Sequence, residues 1–108
     1  MRIILPGLFF LLAACSPSGE PDTPANLVER GQAIAQADCA SCHALDAASP
    51  SPHAEAPPFR TLSERYPVAS LQEALAEGIM VGHPDMPEFS FDPDEIDALI
   101  AFIESVQT

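Results

Sequence analysis

Two cysteines and a histidine stand together at Cys39-Ala40-Ser41-Cys42-His43. A C-x-x-C-H run reads as an attachment site for covalent haem. Two thiols add across the two vinyl groups of one ring to give thioethers, and the next residue supplies an iron ligand. One helical turn separates Cys39 from Cys42, which suits two anchors on one ring edge and sets His43 beneath the iron. Iron held this way takes a second axial ligand, usually Met or His. The chain offers both in one short stretch, His83-Pro84-Asp85-Met86-Pro87.

The same C-x-x-C spacing serves thioredoxin-like pairs and half of many zinc sites. A redox pair belongs beside a βαβ pattern, and no strand-rich stretch occurs here. A zinc site needs a second ligand pair, and beyond His43 only His53 and His83 remain, each isolated among prolines. Met86 precedes Pro87, which drives its backbone out of helical geometry into an extended loop. A thioether projected from such a loop reaches a metal without moving a helix, and as a weak ligand it raises the potential. The plainer role for Met86 is to fill a core gap, and His83 competes with it as a ligand. With C-x-x-C-H upstream, ligation by Met86 is the expectation.

These residues need elements to position them. Residues 26–38 predict a first helix, with Asn26 and Glu29 as a capping pair and Leu27, Gly31 and Ile34 on one face. Gly31 inside a helix costs about 1 kcal/mol against Ala, which makes sense where another helix crosses closely. Residues 44–58 hold four prolines and no apolar period and read as a loop. His53 belongs to it as an exposed side chain. The carbonyl of Pro57 is the expected acceptor for the His43 Nδ1–H, since a metal-bound His normally donates that proton. Phe59 then covers the haem face or edge. Arg60, Arg65 and Tyr66 are candidate donors to the haem propionates, although either Arg could instead pair with the many acids.

Two short helices follow, over 61–65 with a Thr61/Glu64 capping pair and over 70–77 with Ser70/Glu73. Leu71, Ala74 and Leu75 form the apolar side of the second, and Gly78 stops it. Residues 79–91 read as an extended loop. The strongest helix spans 92–106, with Asp92 as cap, Pro93 at the first position and Glu95 closing the box. Phe91 and Ile96 match a hydrophobic staple. Ile96, Leu99, Ile100 and Ile103 make its buried stripe, which Phe102 and Val106 widen, and it is a natural partner for the Gly31 face.

At 108 residues the chain holds one small domain plus attachments. Residues 1–14 read as a secretory signal, with Arg2 as its positive end and a short apolar run too brief to span a membrane. Leu12-Ala13-Ala14-Cys15 resembles a bacterial lipobox, which implies a lipid on Cys15 as the mature N-terminus. The other reading is an ordinary signal with an incidental Cys. Lipid on Cys15 and thioethers on Cys39 and Cys42 would use all three cysteines. The rest of 15–25, rich in Pro, Ser and Gly, reads as a disordered tether, leaving 26–108 as the folded domain. So small a domain buries a limited core alone, so a packed haem should supply missing apolar volume and the haem-free form should be poorly ordered.

Sixteen acidic residues face four Arg and no Lys, giving a net charge of −12. Nothing basic can neutralise phosphates, so a nucleic-acid role is excluded. An acidic face could steer a basic partner, or serve only solubility and repulsion from anionic lipid.

The chain resembles the class I c-type cytochromes, small bacterial monohaem electron carriers, from Asn26 to Gln107. The likeness rests on Gly31 before the first haem Cys, the C-x-x-C-H, the Pro57 stretch, Met86-Pro87 and a last amphipathic helix bearing Phe102. It implies an all-α cytochrome c fold: three to four helices around one covalent haem c, the first and last crossing near perpendicular with Gly31 against Phe102. It implies Cys39 and Cys42 as attachment points, His43 and Met86 as axial ligands, and one-electron transfer rather than catalysis. Two departures matter. Ala35 stands where the family often has an aromatic, so the crossing should be lighter packed and lean on Phe102. The Lys-rich docking surface of eukaryotic members is absent, so a reductase, oxidase or dehydrogenase partner should present a basic or neutral face. Localisation then follows as the periplasmic face of a membrane. The competing readings are a haem sensor or small-ligand binder with an open or His-ligated sixth position, and a haem-free Cys/His metal-binding lipoprotein.

Overall fold

The structure is a computed structural model that describes residues 21–78 and 85–108. The signal segment, Cys15, the first part of the tether and His83 lie outside the described residues. Among the described residues the chain forms three α-helices and two 3₁₀ turns, with no strand. None of these helices is long and apolar enough to cross a membrane.

Helix α1 spans Pro24–Asp38 and starts two residues earlier than expected. Its cap is Thr23, whose hydroxyl accepts from the Asn26 N–H at 3.3 Å. Pro24 explains the shift: its fixed φ and missing N–H suit the first helical position, which leaves Asn26 inside the first turn. Helix α3 spans Pro93–Ser105 and starts as the sequence predicts, with Asp92 as cap and the Glu95 carboxylate accepting from the Asp92 N–H at 2.9 Å.

Helices α1 and α3 are the most extensively packed pair. Gly31 is buried where they meet, and a Cβ there would overlap the Ala98 carbonyl and sit 2.7 Å from Phe102 Cβ. The glycine is therefore required by backbone approach and not merely tolerated. Ala35 and Ala98 are fully buried, so small side chains on both helices let the axes close. Ile96, Leu99, Phe102 and Ile103 of the expected stripe are buried, whereas Ile100 and Val106 are half-buried.

The middle of the chain departs from expectation. The first short helix is a 3₁₀ turn over Phe59–Glu64 entered from Pro58, with no side-chain cap. Thr61 lies inside that turn and its hydroxyl donates back to the Pro58 carbonyl at 3.0 Å. A second 3₁₀ turn, Val68–Ser70, runs straight into α2, Leu71–Glu77. Ser70 is already helical there, at φ −69° and ψ −17°, so its side chain makes no cap. Gly78 ends α2 in the left-handed conformation at φ 73°, as expected of a helix-stopping glycine. One apolar core joins Ala35, Phe59, Leu62, Val68, Leu99, Phe102 and Ile103.

Candidate haem centre

The C-x-x-C-H run grows out of the end of α1. Cys39 caps the helix, donating its N–H to the Ala35 carbonyl at 2.9 Å, and the N–H groups of Cys42 and His43 both turn back to the Cys39 carbonyl at 3.1 and 2.9 Å. This continuous turn puts Cys39, Cys42 and His43 beside one another. His43 is buried, the one polar side chain among the buried described residues. Its Nδ1 lies 2.7 Å from the Pro57 carbonyl oxygen. A carbonyl only accepts, so Nδ1 carries the hydrogen and Nε2 carries the lone pair a metal would need. Phe59 is buried with its ring tilted against His43, centroids 5.3 Å apart, and it leans in turn on Phe102.

A cleft of about 660 Å³, counting its open mouth, lies against this turn. Cys39, His43, Pro57 and Phe59 border it on one side, Leu71 and Leu75 of α2 and Leu99 and Ile103 of α3 form apolar walls, and Met86 reaches it as well. Leu62 completes the apolar lining; alone in a 3₁₀ turn, it carries no periodic signal in sequence. The walls are hydrophobic, a sulfur stands at the edge and an imidazole of fixed tautomer faces in. These residues fit a haem.

Arg65 and Tyr66 border the cleft, and Tyr66 is the most exposed large apolar-bodied side chain among the described residues. The Arg60 guanidinium donates to the carbonyls of Asp46 and Ser49 in the 44–58 loop, at 3.2 and 2.9 Å. His53 also differs from an exposed loop side chain: it is half-buried, and its Nε2 lies 3.0 Å from Asp85 Oδ2.

Burial pushes the Cys39 thiol up to about 12, with the charges of Asp38 and Cys42 acting the same way. A zinc ion requires thiolates, and among the described residues no group of three or more His, Cys, Asp or Glu side chains could hold a metal ion. Cys39 stands at the edge of the apolar cleft.

A family model of cytochrome c matches residues 28–107. No match was found among curated proteins or solved structures. The chain belongs to the cytochrome c family. It has the all-α cytochrome c fold and carries haem c, attached covalently through Cys39 and Cys42 of its C-x-x-C-H run. Haem-based electron transfer is the general activity of such domains, and redox proteins are their partners.

Proposed function

We propose that this cytochrome c is a one-electron carrier of the class I type, with His43 and Met86 as axial ligands, exported and held at a membrane by lipid on Cys15. The observation that carries the reading is that His43 and Met86 border the same apolar cleft. The bound haem supplies the redox chemistry, gaining and losing one electron at iron. The protein's own residues do the rest. Pro57 holds His43 in its ligating tautomer, and the leucine and isoleucine walls keep water from the cleft. Arg65 and Tyr66 at its border would be the donors to the propionates. Met86 as an iron ligand would favour the reduced state and would leave no open site for a catalytic substrate or a sensed gas. The excess of acidic residues favours a redox partner with a basic or neutral docking face. Cys15 after Leu12-Ala13-Ala14 supports a lipid anchor on the periplasmic face.

A visible absorption spectrum of the exported protein, oxidised and then reduced with dithionite, tests the electron-carrier reading. Sharp c-type bands on reduction and the weak far-red sulfur-to-iron band on oxidation are expected. Haem bands without the sulfur band would overturn Met86 ligation. The anchor is tested separately: Cys15→Ser should release the protein from the membrane fraction with its haem intact, and retention at the membrane would sink the lipid assignment.

A further inference from the structure

The loop that carries His53 is wired to the haem-attachment turn. The His53 N–H donates to the Cys42 carbonyl at 3.1 Å, and its own carbonyl accepts from the Ala56 N–H at 3.1 Å. Its imidazole is oriented as well. Nδ1 accepts from the Glu55 N–H at 3.2 Å, so this nitrogen carries no hydrogen and Nε2 must carry one. That Nε2–H points at Asp85 Oδ2, 3.0 Å away. Asp85 is the residue before Met86, and the Met86 side chain borders the cleft together with His43. One imidazole thus bridges the His43 turn and the backbone that presents Met86.

Further along, the described residues of this segment are tied at Ser90, whose hydroxyl lies 3.5 Å from the Ala76 carbonyl, and at Phe91, whose N–H reaches the Leu75 carbonyl at 3.3 Å. Those ties act four and five residues past Met86. A Met ligand is weak, and how long it stays bound depends on how closely its backbone is held.

We propose that His53 is a positioning residue for the sixth ligand: through Asp85 it holds the Met86 backbone at the cleft and so sets how readily another ligand displaces the thioether. The proposal rests on Met86 ligation. It differs from an ordinary surface pair because it crosses 32 residues of chain and joins two ligand-bearing segments.

The test is titration of the oxidised holoprotein with free imidazole, following loss of the sulfur-to-iron band. His53→Ala and Asp85→Ala should each tighten imidazole binding about tenfold, the scale of one partly exposed charge-assisted hydrogen bond. The double variant should go no further than either single one, since both remove the same bond. His53→Gln, which keeps an N–H donor, should stay within about twofold of wild type. Covalent haem content and far-ultraviolet circular dichroism establish that each variant is folded, and Asp85→Ala, on an exposed side chain, guards against loss of fold in the His53 variants. Unchanged imidazole affinity in both single variants, with the sulfur band present in wild type, would overturn the role of His53 and leave Met86 ligation standing. Absence of the band in wild type would instead overturn the ligand assignment beneath it.

Discussion

Two irregular segments bring His43 and Met86 to the cleft, and they are built differently. The stretch from His43 to Phe59 is dense with internal bonds. Asp46 Oδ1 caps the N–H groups of Ala48 and Ser49 at 2.8 and 2.6 Å, Ser51 accepts from the Ala44 N–H, and the Phe59 N–H returns to the Ala44 carbonyl at 2.9 Å. Among the described residues, the segment around Met86 is tied by Asp85 to His53, by Ser90 and Phe91 to α2, and by the stacked rings of Phe89 and Phe91. An imidazole must be fixed in rotation and tautomer to ligate well, which demands such density. A flexible thioether needs only to be brought within reach. Loop architecture here follows the geometric demands of the side chain it delivers.

The largest effect should come from the support both segments share. Gly31→Ala gains about 1 kcal/mol of helix propensity but drives a methyl into the Ala98 carbonyl. Separating the helices should cost a net ~3 kcal/mol or more, read as a lower guanidinium midpoint of the holoprotein. A midpoint within error of wild type would show that the crossing is looser than the buried alanines indicate.

Met86→Ala should separate the two sides. Covalent haem is retained, because Cys39 and Cys42 are untouched, while the potential falls by on the order of 0.1–0.3 V, part of the ~0.8 V range that axial ligands span. Potentiometric titration decides it, and an unchanged potential would move the sixth ligand to another residue. Gly78→Ala acts where α2 hands the chain toward Met86. The position has φ 73° and a Cβ would lie 3.2 Å from the Phe89 carbonyl oxygen, so about 1–2 kcal/mol should be lost with the spectrum of the His43 side unchanged.

The smallest effect belongs to Asp46. Hydrogen bonds from the Ser49 and Ala48 backbone hold its carboxyl down to about 2. Because the folded value is depressed, the contribution is complete above about pH 4, near the unfolded value, and is lost as pH falls through about 2. Asp46→Ala should therefore reduce the pH dependence of stability in that acid window only, as followed by acid unfolding. A change in the slope of stability with pH near neutrality would contradict the assignment.

Helix α3 was legible almost residue by residue, because Asp92, Pro93 and Glu95 are local signals and its apolar stripe has a helical period. The starts of the other elements were less legible. Thr23 displaced Asn26 as cap since Pro24 competes for the first helical position, and the 3₁₀ turns at Phe59 and Val68 follow Pro58 and Pro67, whose effect on the next turn has no periodic signature. The Pro57 acceptor was readable because a metal-bound His requires one. The diversion of Arg60 to Asp46 and Ser49, and of His53 to Asp85, was not, since each partner is chosen by how a loop without period closes on itself.

The sequence by itself determined the attachment chemistry, the haem cysteines Cys39 and Cys42 of the C-x-x-C-H run, and a Gly31 that a close helix crossing explains. These are properties of residue type and of spacing within one turn. Tertiary structure alone decided which polar groups meet across long stretches of chain. His53 lies 32 residues from Asp85, and the Gln107 amide closes on the Phe59 carbonyl across 48 residues, at 2.7 Å. Such partners are fixed by the packing of α1, α2 and α3 and by the path of the loops between them, which local propensity does not encode.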